Sequence, residues 1–237
     1  MIRFALIFAL LTLACCKPAE QPTVDAARYR SFWLWAGVKP QPLLKTAKSV
    51  YVLEAQIADG PQGPRWVQQR AATPRTAGPE IWLVLRVHTL IWSTAIERQL
   101  QARLAAWRSA GNRVVGLQID FDARTRHLDG YAAFLKRLRA KLPQDTKLGI
   151  TGLLDWSANG DPDQLAAISG SVDEVVLQAY QGRRTIPGYQ GYLAQLKRMN
   201  QPFKIGLVQG GEWKEPAALK SNPWFRGYIV FLVNPSP

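Results

Sequence analysis

The sequence predicts an α/β protein folded as a single (β/α)8 TIM barrel, and three observations carry that reading. Eight short apolar runs recur along the 237 residues, helical patterns stand between several of them, and 47% apolar content is enough for one sizeable core. Near-continuous apolar strands suit a parallel sheet covered by helices, because such strands are buried on both faces.

The first residues stand apart from that pattern. MIRFALIFALLTLACCKP has one positive charge at Arg3, then an apolar run over residues 4–14 that is too short to span a bilayer and ends in small residues and cysteines. Residues 1–14 therefore read as an export signal. Cys15 and Cys16 are the chain's two cysteines, so the body has no thiol for a disulfide or a thiolate metal site. Within residues 15–30, the Pro-containing polar stretch KPAEQPTVDAAR suits a tether, which leaves residues 31–237 for the barrel.

The strand-like runs are FWLWAGV (32–38), SVYVLEAQI (49–57), EIWLVLRVHT (80–89), RVVGLQIDFD (113–122), KLGITGLLDW (147–156), DEVVLQAY (173–180), FKIGLVQG (203–210) and GYIVFLVN (227–234). Helices with clear ends alternate with them. In STAIERQLQARLAAWRSAG, Thr94 and Glu97 form a capping box, Ile96, Leu100, Leu104 and Trp107 share a face, and Gly111 closes the helix. HLDGYAAFLKRLRAKLP repeats Leu128, Tyr131, Leu135, Leu138 and Leu142, with Pro143 after its end. DPDQLAAIS offers Asp161 as cap and Pro162 at the first helical position, and GYLAQLKRM puts Tyr192, Leu196 and Met199 on one stripe. Residues 58–79 read as loop. A doubly wound open sheet is the structural rival, but no Gly-rich phosphate loop follows the first strand, so no nucleotide cofactor is expected.

Thirty Lys and Arg against seventeen Asp and Glu give a formal net charge of +13. The cations are scattered over helical segments such as KRLRAK and form no basic block, which points to solvated helix faces and away from nucleic acid. A monomer is expected.

Several strands carry polar residues on one face. Side chains alternate along a strand, so Gln118, Asp120 and Asp122 share the face opposite Ile119 and Phe121, and both aspartates are expected to point into the barrel. The same parity groups Glu54 with Gln56, Arg86 with His88, and Gln178 with Tyr180, mostly near C-terminal strand ends where barrel enzymes place their chemistry. Asp155 is the last residue but one of the fifth run and Gln209 of the seventh. Glu54 and Arg86 could equally form a structural ion pair, and His88 could be a hydrogen-bonding wall residue. The other histidine, His127, opens a helix, so no metal site is expected. Two carboxylates one residue apart on an inward face should repel each other and raise one pKa, leaving a proton donor beside an anion. Glycoside hydrolysis has that electrostatic requirement.

GLQIDFD resembles the fourth-strand signature G-I-D-I-D-W-E of the family-18 chitinase-like glycoside hydrolases, and VVLQAYQG resembles their sixth-strand M-x-Y-D segment. That resemblance implies Asp122 in the place of the general acid, Asp120 in the place of the aspartate that orients the substrate, and Tyr180 as the tyrosine that helps hold it. Gln118, Asp122 and Gln181 depart from the family pattern, Asp122 being one methylene shorter than the usual glutamate. The body as a whole, from FWLWAGV through LQIDFDA and GITGLLDW to VVLQAYQGRR, resembles a family of exported bacterial proteins known as the domain of unknown function DUF3142. LTLAC, with Ala14 before Cys15, resembles a bacterial lipoprotein box, which implies cleavage before Cys15, a lipid on Cys15 that anchors the chain to the membrane, and a periplasmic-side envelope location. An ordinary signal peptide cut nearby is the alternative.

Among the nine tryptophans, Trp33, Trp35, Trp92, Trp156, Trp213 and Trp224 fall in or just after strands or in late loops, and two or three are expected to line a cleft, Trp156 and Trp213 first. The expected function is an envelope glycoside hydrolase acting on a polysaccharide or cell-wall glycan, without cofactor. In it Asp122 donates the proton, Asp120 stays ionised, Tyr180 and Gln178 position the sugar, and the nucleophile is the substrate's own group, Glu54, Asp155 or water. The alternative is a noncatalytic lipoprotein that binds glycan with the same cleft. Labelling cells with a radioactive fatty acid should mark this protein, and Cys15→Ala should abolish the label; label that survives the substitution rules out that attachment site.

Overall fold

The computed structural model describes residues 22–126 and 128–234. The expected export signal, the lipidation candidate Cys15 and His127 lie outside the described residues.

Eight parallel strands form the barrel: β1 (Ser31–Leu34), β2 (Ser49–Ala58), β3 (Glu80–Val87), β4 (Arg113–Asp120), β5 (Lys147–Leu153), β6 (Glu174–Gln178), β7 (Phe203–Val208) and β8 (Phe225–Phe231). Each pairs with the next, and β1 pairs with both β2 and β8, which closes the sheet. The (β/α)8 expectation is met. The expected strands run past the observed C-terminal ends, so His88, Asp122, Asp155 and Tyr180 sit just beyond β3, β4, β5 and β6.

The helices are α1 (Thr94–Ser109), α2 (Asp129–Lys141), α3 (Trp156–Asn159), α4 (Pro162–Ser169), α5 (Tyr189–Gln195) and α6 (Ala217–Lys220). Helix α1 buries Ile96, Leu100, Leu104 and Trp107, as its periodicity predicts, each worth about 1.5–3 kcal/mol relative to exposure. Its cap is Ser93 rather than Thr94: Ser93 is extended and its hydroxyl accepts from the Ile96 amide at 3.4 Å. Glu97 is thereby one position too far along for a capping box, and it pairs with Lys141 instead. Asp161 caps α4 as expected, accepting from the Asp163 and Gln164 amides at 3.0 Å.

The first two connections have no α-helix. A 3-10 turn (Pro42–Thr46) links β1 to β2, and between β2 and β3 the strand Arg65–Gln68 pairs antiparallel with β2. The fold also begins earlier than residue 31. Thr23 bridges Glu212, Val24 and Ala26 are buried, and the Val24 amide donates to the Gly211 carbonyl at 2.8 Å. Residues 22–30, expected as tether, are part of the folded body because two apolar side chains there find a place in the core.

Two apolar clusters divide the core. The larger joins the outward strand faces to the helices, and the smaller, with Trp33, Tyr51, Leu53, Trp82, Val84, Val176, Ile229 and Phe231, fills the barrel. Strand alternation puts these two sets on opposite faces. At the N-terminal end of the barrel the Tyr51 hydroxyl donates to Glu174 at 2.5 Å, and Lys204 donates to Tyr51 at 3.0 Å and pairs with Glu174 at 2.8 Å. Burial, then the Glu174 carboxylate, pushes the Tyr51 hydroxyl well above its usual range, so it remains a donor.

Trp82 stacks on Tyr51 at 5.3 Å and fits because its neighbours on the next two strands, Gly116 and Gly149, lack side chains. A Cβ added to Gly116 would lie 2.5 Å from the Trp82 ring and 2.9 Å from the Lys147 carbonyl. Gly116→Ala should therefore lower stability by about 1–3 kcal/mol in urea unfolding, whereas Gly37→Ala, with open space around it, should cost far less. Equal effects would contradict this packing.

Candidate functional site

The C-terminal mouth of the barrel holds a compact charged cluster. Gln118 and Asp120 point inward from β4, while Leu117 and Ile119 belong to the outer core. Arg86, opposite Asp120 in the β3–β4 register, is the last inward residue of β3. Its guanidinium is shared: Nη1 donates to Asp120 Oδ2 and Nη2 to Asp122 Oδ2, both at 2.9 Å. Thr151 of β5 donates to Asp120 Oδ1 at 2.8 Å.

The two aspartates live in different media. Asp120 is 2% exposed and Asp122, two residues on and past the strand end, is 68% exposed. Burial raises the Asp120 pKa against the opposing pull of Arg86 and the Thr151 hydrogen bond, and Asp122 adds a smaller upward push. One carboxyl of the pair is shifted up, as expected, but burial is the main cause and repulsion a minor one. The shifted residue is Asp120, which was expected to stay ionised; the strand carries it into the barrel and leaves Asp122 in solvent.

Around the cluster stand Trp35, Tyr180, Gln56 and Gln178. The Arg86 guanidinium carbon lies 5.8 Å from the Trp35 ring, which packs on Trp33 at 4.3 Å. Tyr180 lies edge-on to Phe231 at 5.3 Å, and its hydroxyl is raised by burial first and by Asp120 second, which places it within the field of the cluster. Gln56 pairs in register with Arg86, and Gln178 ends β6 on the face of Val176. Beneath them Gln118 accepts from the Trp33 indole at 2.8 Å, and its buried Nε2 has no hydrogen-bond partner.

Glu54 is not in this mouth. Glu54 faces outward with Val50 and Val52, as alternation from the inward Tyr51 and Leu53 requires, and the β2–β3 register shift between Leu53 and Ala55 is a bulge that keeps Ala55 on the outer face and returns Gln56 to the interior. Glu54 is fully buried against α1, accepting from Arg103 at 2.5 Å, Trp107 at 3.0 Å and Gln68 at 2.7 Å. Neither Glu54 nor Arg86 is the other's ion partner.

Five further candidates have surroundings of their own. Trp156 is buried against Tyr131, donates to the Ala123 carbonyl at 3.3 Å, and lines no cleft. Trp213 is buried between Tyr189 and Tyr228 in the outer core. Gln209 exchanges hydrogen bonds of 2.9 Å with Gln41 and accepts from the Val233 amide at 3.1 Å, so it ties two connections together. Asp155 is half-buried and accepts from Thr125. His88 is exposed beyond β3, its amide bonded to the Ile57 carbonyl at 2.9 Å. Trp35, among the six tryptophans considered but not among the first choices, is the one beside the charged cluster; its parity with Trp33 along β1 was the available signal. Among the described residues no group of three or more His, Cys, Asp or Glu is placed to hold a metal ion.

Residues 83–189, which span this cluster, match the family model described as Domain of unknown function (DUF3142). No curated protein matches the sequence. Solved structures share the fold. A xylanase-alpha-amylase inhibitor protein, XAIP-I, solved in complex with trehalose, superposes with a TM-score of 0.56 at 11% identity over 85% of this chain and 92% of its own. The chitinase domain of the Clostridium difficile spore coat protein CotE gives 0.50 at 13% identity over 84% and 68%. The Bacillus cereus spore cortex-lytic enzyme SleL gives 0.53 at 15% identity, with 76% of this chain covering half of that one. What these structures share with the chain is the barrel fold.

Because Asp120 is buried beside one cation, Arg86→Met should cost about 3 kcal/mol in urea unfolding near neutral pH, and adding Asp120→Asn should restore most of it. The raised Asp120 also makes the native state hold its proton longer than the unfolded chain. Its contribution to stability is full below the ordinary aspartate range and is lost as pH rises through the folded value, so Asp120→Asn should flatten that decline. A single and a double variant of equal stability would contradict the ion pair.

Proposed function

We propose that the barrel mouth is a glycan-binding site, in which Arg86, Asp120, Asp122 and Tyr180 present hydrogen-bonding groups to sugar hydroxyls and Trp35 offers an aromatic face. The observation that carries this reading is the sharing of one guanidinium between the two carboxylates. Hydrolysis needs an acid that holds a proton for the leaving oxygen and a second group across the sugar ring. Asp122, expected as that acid, instead accepts from Arg86 Nη2 at 2.9 Å. Of the two carboxylates expected as nucleophile, Glu54 lies behind the barrel wall and Asp155 is bonded to Thr125. The inhibitor protein solved with trehalose supports a sugar-binding reading for a barrel of this shape.

A hydrolytic reading has its own support. Burial pushes Asp120 toward its protonated form within the same cluster as the exposed Asp122, and the chitinase domain and the spore cortex-lytic enzyme have related barrels. In that mechanism the substrate's own group or water attacks, since two acids two residues apart cannot flank a sugar. The envelope location and lipid anchor at Cys15 are part of the proposal and rest on the N-terminal sequence.

Titration of the purified protein with polymers that include peptidoglycan and deacetylated glycans should show saturable binding without release of reducing ends. Trp35→Ala should weaken that binding roughly tenfold. Release of reducing ends by the wild type, lost a hundredfold or so in Asp122→Asn with ligand still bound, would replace the binding reading with hydrolysis.

A further inference from the structure

The outer wall of the barrel carries a second site on the side where helices are missing. In a (β/α)8 fold each strand's outward apolar face is covered by a helix. Between β1 and β2 and between β2 and β3 stand instead the 3-10 turn over Pro42–Thr46 and the loop-rich connection of residues 59–79. These leave a pocket of about 340 Å³ floored by the outward side chains Leu34, Val50, Val52 and Ile81, with Trp107 of α1 as one wall. Its volume lies at the lower end of the roughly 300–1,000 Å³ typical of small-ligand sites.

Arg70 reaches this apolar pocket from the second connection. Its Nε donates to the Leu53 carbonyl at 3.1 Å, which fixes the plane of the guanidinium. No hydrogen bond from either Nη is present among the described residues, and Nη2 is buried without a partner. Nη2 is closed off from solvent and so from an occupant of the pocket, whereas Nη1, equally unbonded, is not among the closed-off atoms and is the nitrogen open to an acceptor. Glu54 supplies charge nearby, but its oxygens are taken by Arg103, Trp107 and Gln68. The lining includes a second cation, the exposed Lys45, and no carboxylate.

Apolar walls, a small volume and a planar donor edge together describe one ligand chemistry. We propose that this pocket binds a medium-chain fatty acid, its tail on the outward faces of β1–β3 and its carboxylate on Nη1 of Arg70. The site is separate from the barrel mouth: Leu34, Val50, Val52 and Ile81 belong to the outer core, on the opposite strand faces from Trp33, Tyr51 and Trp82.

Calorimetric titration of the purified protein with decanoate is expected to show saturable binding, and Arg70→Gln to weaken it about tenfold or more while leaving the affinity for decanol unchanged. Arg70 also holds the Leu53 carbonyl, so a second variant keeps that bond: Ala77→Trp, at the exposed rim, should fill the cavity and abolish decanoate binding with the melting temperature unchanged. Absence of saturable decanoate binding by the wild type overturns the proposal, as does binding that survives both substitutions or an equal loss of decanol and decanoate in Arg70→Gln. A change of oligomeric state in Ala77→Trp, in a protein that takes up no decanoate, would assign the face to a second copy of the chain and overturn it too.

Discussion

The mouth of this barrel depends on one guanidinium. A carboxylate inside the barrel, unpaired, would cost several kcal/mol, and Asp120 is there because β4 alternates its side chains and ends on it. Closure of the sheet sets β3 beside β4 in a register that puts Arg86 opposite Asp120, and β5 brings Thr151 to the other oxygen. The second arm of the guanidinium then takes Asp122 from the following loop. Arg86 in turn lies over Trp35, so strands β1, β3, β4 and β5 all contribute to holding a single charge balance. One guanidinium serves two carboxyl groups, and the polar groups beside them, Tyr180 and Gln178, have their own bonding capacity.

Below that cluster the interior is packed by large rings where glycines make room. Trp33 stacks on Phe231 at 5.1 Å and Tyr51 on Trp82 at 5.3 Å, with Gly116 and Gly149 against the Trp82 ring. At the floor, Tyr51, Glu174 and Lys204 satisfy one another. The barrel is therefore polar at both ends and aromatic between, which separates a floor whose partners are bonded to each other from a mouth that faces solvent. Fully bonded buried charges at the floor read as structure; a half-exposed cluster at the C-terminal mouth reads as a site.

Much of this was legible in the residues. Eight apolar runs and helix ends such as Asp161–Pro162 and Gly111 point to the alternating barrel because burial and capping are local, patterned requirements. Strand parity placed Asp120 and Arg86 on inward faces. It failed in grouping Glu54 with Gln56, because one extra residue in β2 reverses the parity between them and a bulge has no signature in composition. The tryptophans were illegible for a different reason: Trp156 and Trp213 satisfy the same apolar demand outside the barrel that Trp33 satisfies inside it, and only packing distinguishes them. The short polar stretch before Phe32 looked like tether because two buried side chains, Val24 and Ala26, are too few to form a pattern. The loop character of residues 58–79 was read correctly in part, since a strand of four residues there is held by pairing with β2 rather than by its own sequence.

The shared guanidinium is tested most directly by following the Asp120 carboxyl through a pH titration by carbon-detected NMR, in the wild type and in Arg86→Met. With Arg86 holding down a carboxyl that burial raises, the wild-type group should titrate above the ordinary aspartate range and move higher still in the variant. An Asp120 that titrates at its ordinary value in both proteins, or that does not respond to the loss of Arg86, would contradict the account.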